Sequence, residues 1–179
     1  AFGGFCYLNS ASIASHFLAQ YGKVALLDID YHHGNGHQNI FYRRSDVFTI
    51  SIHAQPKLAY PYFSGFKDEF GEDQGKGFNF NIPLPEKVEG ETYQNHLSIA
   101  IQKINKFQPA FVVISLGMDT AQGDPTGTWS LTTQDFEKNG HMLSYLKRPM
   151  LVVQEGGYNT HTLGKNVCHF FLGLISGAK

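Results

Sequence analysis

The stretch Lys23-Val24-Ala25-Leu26-Leu27-Asp28-Ile29-Asp30 runs directly into Tyr31-His32-His33-Gly34-Asn35-Gly36. Its first part is a short, continuous apolar run that ends in acids. Such a run suits a strand covered on both faces, as in a parallel sheet. Outward from it the theme recurs. Val47 to Ile52, Phe78 to Ile82 (closed by Pro83 and Pro85), Phe111 to Ser115 and Met150 to Gln154 are further strand candidates. Apolar residues at helical spacing mark Ser10 to Tyr21, stopped by Gly22, and then Tyr93 to Phe107, Thr133 to Leu146 and Leu163 to Ile175. Strands alternating with helices at these intervals mean βαβ units. The expected fold is therefore α/β, three layers α/β/α around a parallel sheet. No repeat, low-complexity run or linker divides the chain, so residues 1–179 are read as a single domain.

Composition narrows the function classes. A chain of 179 residues is long enough to bury a sizeable core. Only 16% of residues are charged and 14% are aromatic, the opposite of a disordered composition. The net charge of −1 lacks the basic excess of a nucleic-acid binder. No apolar run reaches the roughly 18 residues of a membrane helix. Cys6 and Cys168 stand in apolar surroundings without CxxC spacing. They are expected to be buried, reduced thiols, which points weakly to a cytoplasmic location, with a nuclear one open. The chain opens on Ala1 and a glycine-rich apolar stretch, so the true N-terminus is expected upstream.

In open parallel sheets ligands bind outside the carboxyl ends of the strands. Three core strands here run into polar, glycine-bearing segments at that end: Asp28 to Gly36, Ser115 to Asp119 with Gly123-Asp124-Pro125, and Glu155 to Tyr158. If the strands are parallel, these segments converge. Asp28, Asp30 and His32 alternate, so in extended geometry they point the same way. Asp30 and His32 can share one metal, and Asp119 would complete a three-ligand site with an open position. Mixed N/O ligation suits zinc, and iron or cobalt fit as well. An acid at a strand end also caps a following helix or turn, so Asp28 alone reads either way. An EF-hand is excluded, because His33 and Asn39 occupy the positions that need Gly and Glu.

Six segments in order resemble the histone deacetylase and acetylpolyamine amidohydrolase superfamily, in its class II-like or bacterial branch. They are FGGFCYLN (Phe2 to Asn9), DIDYHHGNG (Asp28 to Gly36), SIHAQP with the following YP (Ser51 to Pro61), NIPLP (Asn81 to Pro85), SLGMDTAQGDPTG (Ser115 to Gly127) and EGGY (Glu155 to Tyr158). The resemblance implies an arginase/deacetylase-like fold and a zinc-dependent deacetylase acting on acetyl-lysine proteins or acetylpolyamines. It implies Asp30, His32 and Asp119 as zinc ligands. Asp28 would orient a catalytic histidine, and Asn35 a second. Tyr158 would donate its hydroxyl to the developing oxyanion. Gly4, Phe5 and Tyr60 would line the acyl tunnel. A potassium ion beside the zinc would involve Asp28, Asp30, His32, Ser51 and the carbonyl of Ile52.

Other readings stand beside these. Tyr158 could be a packed loop aromatic, and Phe5 plain core. His33, next to a ligand, is expected to point away from the metal. His16, His53, His96, His141, His161 and His169 read as loop, surface or packing residues. Asp68, Glu69, Glu72 and Asp73 form an acidic cluster in the long segment from His53 to Gly77. It could hold a cationic polyamine or simply be a solvated loop. The paired catalytic histidines of the family precede its FGGFC segment. These residues are thus expected to cover the second part of the catalytic domain, and taken literally they lack a general base. The alternative is a base-less fragment or pseudoenzyme that binds acyl groups or a partner. An oligomer is left open.

Overall fold

The computed structural model describes residues 3–177, so Phe2 of the FGGFC motif lies outside the described residues. Five strands form one sheet: β1 (Val24–Asp28), β2 (Val47–Ala54), β3 (Asn79–Leu84), β4 (Phe111–Leu116) and β5 (Met150–Gln154). Every neighbouring pair is parallel, in the order β3-β2-β1-β4-β5. The helices are α1 (Ser10–Leu18), α2 (Asn35–Phe41), α3 (Gly90–Phe107), α4 (Thr133–Ser144) and α5 (Leu163–Ser176). The fold is α/β, as the apolar runs predicted.

Strand parity builds the layers. Ala25, Leu27, Ile50, Val112 and Ile114 point to one face and pack with α3, α4 and α5, through Leu97, Ile104, Phe136, Leu143 and Phe170. Val24, Leu26 and Val113 point to the other, against Ala11 of α1 and Phe41 of α2. Asp28 has the parity of Val24 and Leu26, so it faces α1 and α2. Ser51 and Ser115 stand opposite it in register. Local signals set the helix ends. The Asn9 side chain accepts the Ser12 N–H at the start of α1, Thr132 and Asp135 form a capping box on α4, and Gln108 closes α3 in left-handed geometry.

Several boundaries differ from expectation. Helix α1 ends at Leu18, three residues before Tyr21, and α4 at Ser144 rather than Leu146. Strand β2 runs on to Ala54, which puts His53 in the sheet. Strand β3 continues through Pro83, which an edge strand tolerates because one side of it needs no ladder donor. Helix α2 was not predicted: seven residues are too few for a period to show. Both thiols are exposed, which corrects the expectation of buried ones. Cys6 lies in the glycine-rich opening loop and Cys168 on an outer position of α5.

Not every apolar surface is covered. Ile13 and Phe17 of α1 and Tyr21 just beyond it are 57%, 56% and 67% exposed, and edge strand β5 leaves Leu151 open. No helix among the described residues is long and apolar enough to cross a membrane.

Candidate active site

Strand order locates the site. From β1 the chain steps outward through β2 to β3, then returns to β4 and steps the other way to β5. The order reverses between β1 and β4, and that crevice is where open sheets bind ligands. The segments after β1, β4 and β5 meet there.

Strand β1 stops at Asp28, whose Oδ1 accepts the Asp30 N–H at 3.0 Å, and Asp30 Oδ1 in turn accepts the His32 N–H at 2.8 Å. Two successive aspartate turns fold the segment, so it is not extended. The expected alternation of three side chains on one side is corrected accordingly. Asp28 turns to α2, while Asp30 and His32 swing towards β4 and meet Asp119. The ligating atoms of Asp30, His32 and Asp119 lie within 4.8 Å of one another. His32 Nδ1 is 3.3 Å from Asp30 Oδ1 and 3.0 Å from Asp119 Oδ2. Backbone donors hold the outer oxygens: Tyr31 N–H reaches Asp119 Oδ1 at 2.9 Å, and Gly156 N–H reaches Asp30 Oδ2 at 3.0 Å. Gly117 and Gly156 must be glycine, because a Cβ at either would collide with the Asp30 and Asp119 carboxylates.

The electrostatics fit a cation at this cluster. Burial, followed by repulsion from Asp30, pushes the Asp119 carboxyl up to about 7. Burial alone would lower the His32 imidazole, yet its hydrogen bonds to Asp119 and Asp30 carry it up to about 10. Two buried carboxylates need a positive charge between them. The protonated imidazole can supply it, and so can a divalent metal bound by two carboxylate oxygens and one ring nitrogen. This donor set suits zinc among other metals.

A family model described as the histone deacetylase domain matches residues 1–174. The chain belongs to the histone deacetylase family. The acetylpolyamine amidohydrolase of Burkholderia pseudomallei is 42% identical over 175 residues, 97% of this chain and 51% of the relative. Acetylpolyamine amidohydrolase 1 of Pseudomonas aeruginosa is 41% identical, over 99% of this chain and 52% of the relative. The crystal structure of acetylpolyamine aminohydrolase from Burkholderia pseudomallei superposes with a TM-score of 0.97 at 41% identity, over 99% of this chain and 52% of that one. The chain therefore spans about half the length of the curated relatives it matches.

Around the deacetylase-family cluster a cavity of about 440 Å³ is lined by Gly4, Phe5, Tyr60, Asn35 and Tyr158 together with Asp28, Asp30 and His32. Asp119 lies beneath, fully buried. Phe5 is 87% exposed, so it is not core, and its ring meets Tyr158 edge-on at 5.8 Å. Desolvation and the Asp30 and Asp119 carboxylates hold the Tyr158 hydroxyl up at about 12, so it stays a donor. Asn35 opens α2 at the cavity wall.

The Ser51 hydroxyl bonds His33 Nδ1 at 3.1 Å and His53 Nδ1 at 2.8 Å, and the Ile52 side chain is core. His33 points to this buried chain and away from the metal cluster, as expected. Of the acidic loop cluster, Glu69 turns inward and accepts the Gly65 and Phe66 N–H groups and the Gln38 amide, while Glu72 and Asp73 pair with Arg43. None of the four lines the cavity.

Two further titratable side chains, His37 and Glu155, line the cavity with no role assigned from the sequence. His37, the remaining histidine, places Nε2 3.3 Å from Asp28 Oδ2 and Nδ1 2.9 Å from the Ser12 hydroxyl. Asp28 thus faces His37 of α2, which is not one of the upstream histidines the resemblance implies. The Gly34-Asn35-Gly36 helix start was the available signal. Glu155 lines the cavity too, its carboxyl raised by desolvation and by Asp28 and Asp30.

Proposed function

We propose that this chain carries the metal-binding part of a zinc-dependent amidohydrolase that removes acetyl groups from acetylated amines. The observation that carries this is the Asp30–His32–Asp119 cluster at the floor of a cavity with Tyr158 at its wall. When bound, zinc polarises an amide carbonyl and acidifies a water molecule. Asp30, Asp119 and His32 Nδ1 would hold it, with the Tyr31 and Gly156 N–H groups fixing the carboxylate orientation. The Tyr158 hydroxyl donates a hydrogen bond to the oxygen that gains charge at the acetyl carbon. Phe5 and Tyr60 flank the acyl-amine chain, and the Gly4 carbonyl accepts its amide N–H. His37 has both ring nitrogens engaged by Asp28 and Ser12, and the proton acceptor in this reading would be the histidine pair that the family carries upstream of its FGGFC segment.

Acetylpolyamines are the favoured substrates over acetyl-lysine proteins. Among the described residues the cavity lining holds Glu155 beside the metal-binding cluster and no Lys or Arg, which suits an amine that carries further positive charge. Relatives named acetylpolyamine amidohydrolase share 38% to 42% identity with this chain. The test is hydrolysis by the full-length protein of N-acetylputrescine and of an acetyl-lysine peptide, with and without a zinc chelator. Chelator-sensitive turnover with the higher kcat/KM on N-acetylputrescine is expected. No hydrolysis of either by zinc-loaded protein would move the reading to a binding module.

A further inference from the structure

We propose that Asp124 is the positioning residue for Tyr158, acting through the backbone of the loop that carries the tyrosine; this rests on Tyr158 serving as the oxyanion donor. Asp124 is 5% exposed. Its Oδ2 accepts the backbone N–H groups of Tyr158 at 2.7 Å and Asn159 at 3.0 Å. Its Oδ1 accepts the Thr126 N–H at 2.9 Å and the Thr126 hydroxyl at 2.8 Å. One carboxylate thus takes four hydrogen bonds, two per oxygen, which is its full capacity. Two come from the turn after β4 and two from the loop after β5. Bonds to an ionised acceptor are about twice as strong as neutral ones.

The tyrosine needs this anchor. Tyr158 is 38% exposed, and the Phe5 ring, itself exposed, meets it edge-on at 5.8 Å. Gly157 before it has φ 135°, where the backbone has wide freedom. The loop is held instead at two points. Gly156 N–H binds Asp30 of the metal cluster, and the Tyr158 and Asn159 N–H groups bind Asp124. Asp124 and Asp30 together set where the hydroxyl stands relative to the metal.

Asp124→Asn separates this role from general stability. It replaces one acceptor oxygen by an amide that donates. In the zinc-loaded full-length protein, hydrogen exchange at the Tyr158 and Asn159 amides is expected to speed up at least about tenfold as that anchor opens. Zinc content stays at the wild-type level. A misplaced hydroxyl lowers kcat by about 10- to 100-fold with KM nearly unchanged. In a Tyr158→Phe background the same substitution has little further effect, because the two residues act as one unit. Unchanged exchange, unchanged kcat, or a full additional loss in the Phe background overturns the proposal. If Asp124→Asn does not fold, Asp124→Glu keeps the charge and shifts the acceptors by a methylene, and a folded Glu variant with wild-type kcat overturns it equally. A wild type that hydrolyses nothing fails the functional reading alone, and the exchange result still decides the anchor.

Discussion

His32 and Asp119 are 87 residues apart in sequence, yet His32 Nδ1 stands 3.0 Å from Asp119 Oδ2, and Asp119 has no exposed surface. Neighbouring parallel strands β1 and β4 bring their carboxyl ends side by side and so deliver the two residues to one point. Removing His32 takes the positive charge from between Asp30 and Asp119, and removing Asp119 leaves His32 with Asp30 alone. Asp119→Ala is expected to abolish stoichiometric zinc and to destabilise the chain, since one buried charge loses its partner. Elemental analysis of the purified variant checks the first and thermal melting the second; full zinc occupancy would refute the ligand assignment.

Tyr158→Phe removes one hydroxyl at the cavity wall and nothing from the metal cluster. Zinc content is expected to persist while kcat falls about 10²- to 10³-fold, the usual cost of one oxyanion donor. Steady-state kinetics on an acetylated amine decide it, and near-normal turnover would rule the role out.

Glu69 clamps the connection between β2 and β3, accepting Gly65 N–H at 2.7 Å, Phe66 N–H at 3.0 Å and Gln38 Nε2 at 2.9 Å. Glu69→Ala orphans these donors and should cost about 1–3 kcal/mol. Asp68→Ala, on the exposed side of the same loop, should cost within about 0.5 kcal/mol. Denaturant titration of both separates a structural acid from a solvated one.

His53 is fully buried, and its Nε2–H donates to the Gly65 carbonyl at 2.9 Å. Burial pulls its pKa down from 6.5 to about 4, so the native state holds it neutral. The unfolded chain takes up the proton first as pH falls. Stability is therefore complete above about pH 6.5 and drains away towards pH 4, by up to about 3 kcal/mol. Melting temperatures across that window, for wild type and His53→Asn, check the sign; a flat wild-type profile would count against it.

The 179-residue chain by itself leaves Ile13 and Phe17 of α1, Tyr21 just beyond it and the β5 edge open. Unpaired edges and exposed apolar faces drive association. Light scattering on this chain is expected to show dimers or larger species, and a clean monomer with low dye binding would contradict it.

Much of this was legible in order along the chain. The apolar runs at Val24 to Leu27 and Val112 to Ile114 read as doubly buried strands because their periodicity is local. Asp30, His32 and Asp119 were identifiable because polar residues at such strand ends have few structural reasons to be there. The extended geometry expected from Asp28 to His32 did not hold, because aspartate turns fold the segment after β1. His37 was missed because α2 is too short to announce itself. The Glu69 clamp was invisible because its donors come from α2, β3 and its own loop.

The sequence by itself determined the parallel α/β class, the family and the candidate metal-binding side chains, because each is encoded by residue type at short range. Only the tertiary structure decided which carboxylate faces the metal cluster, which faces His37 and which pins the tyrosine loop. Those assignments depend on the register of β1 against β4 and on the bonds that Asp28, Asp30 and Asp124 make with backbone donors. Such bonds reach across the sheet between segments distant in sequence, and no local spacing specifies them.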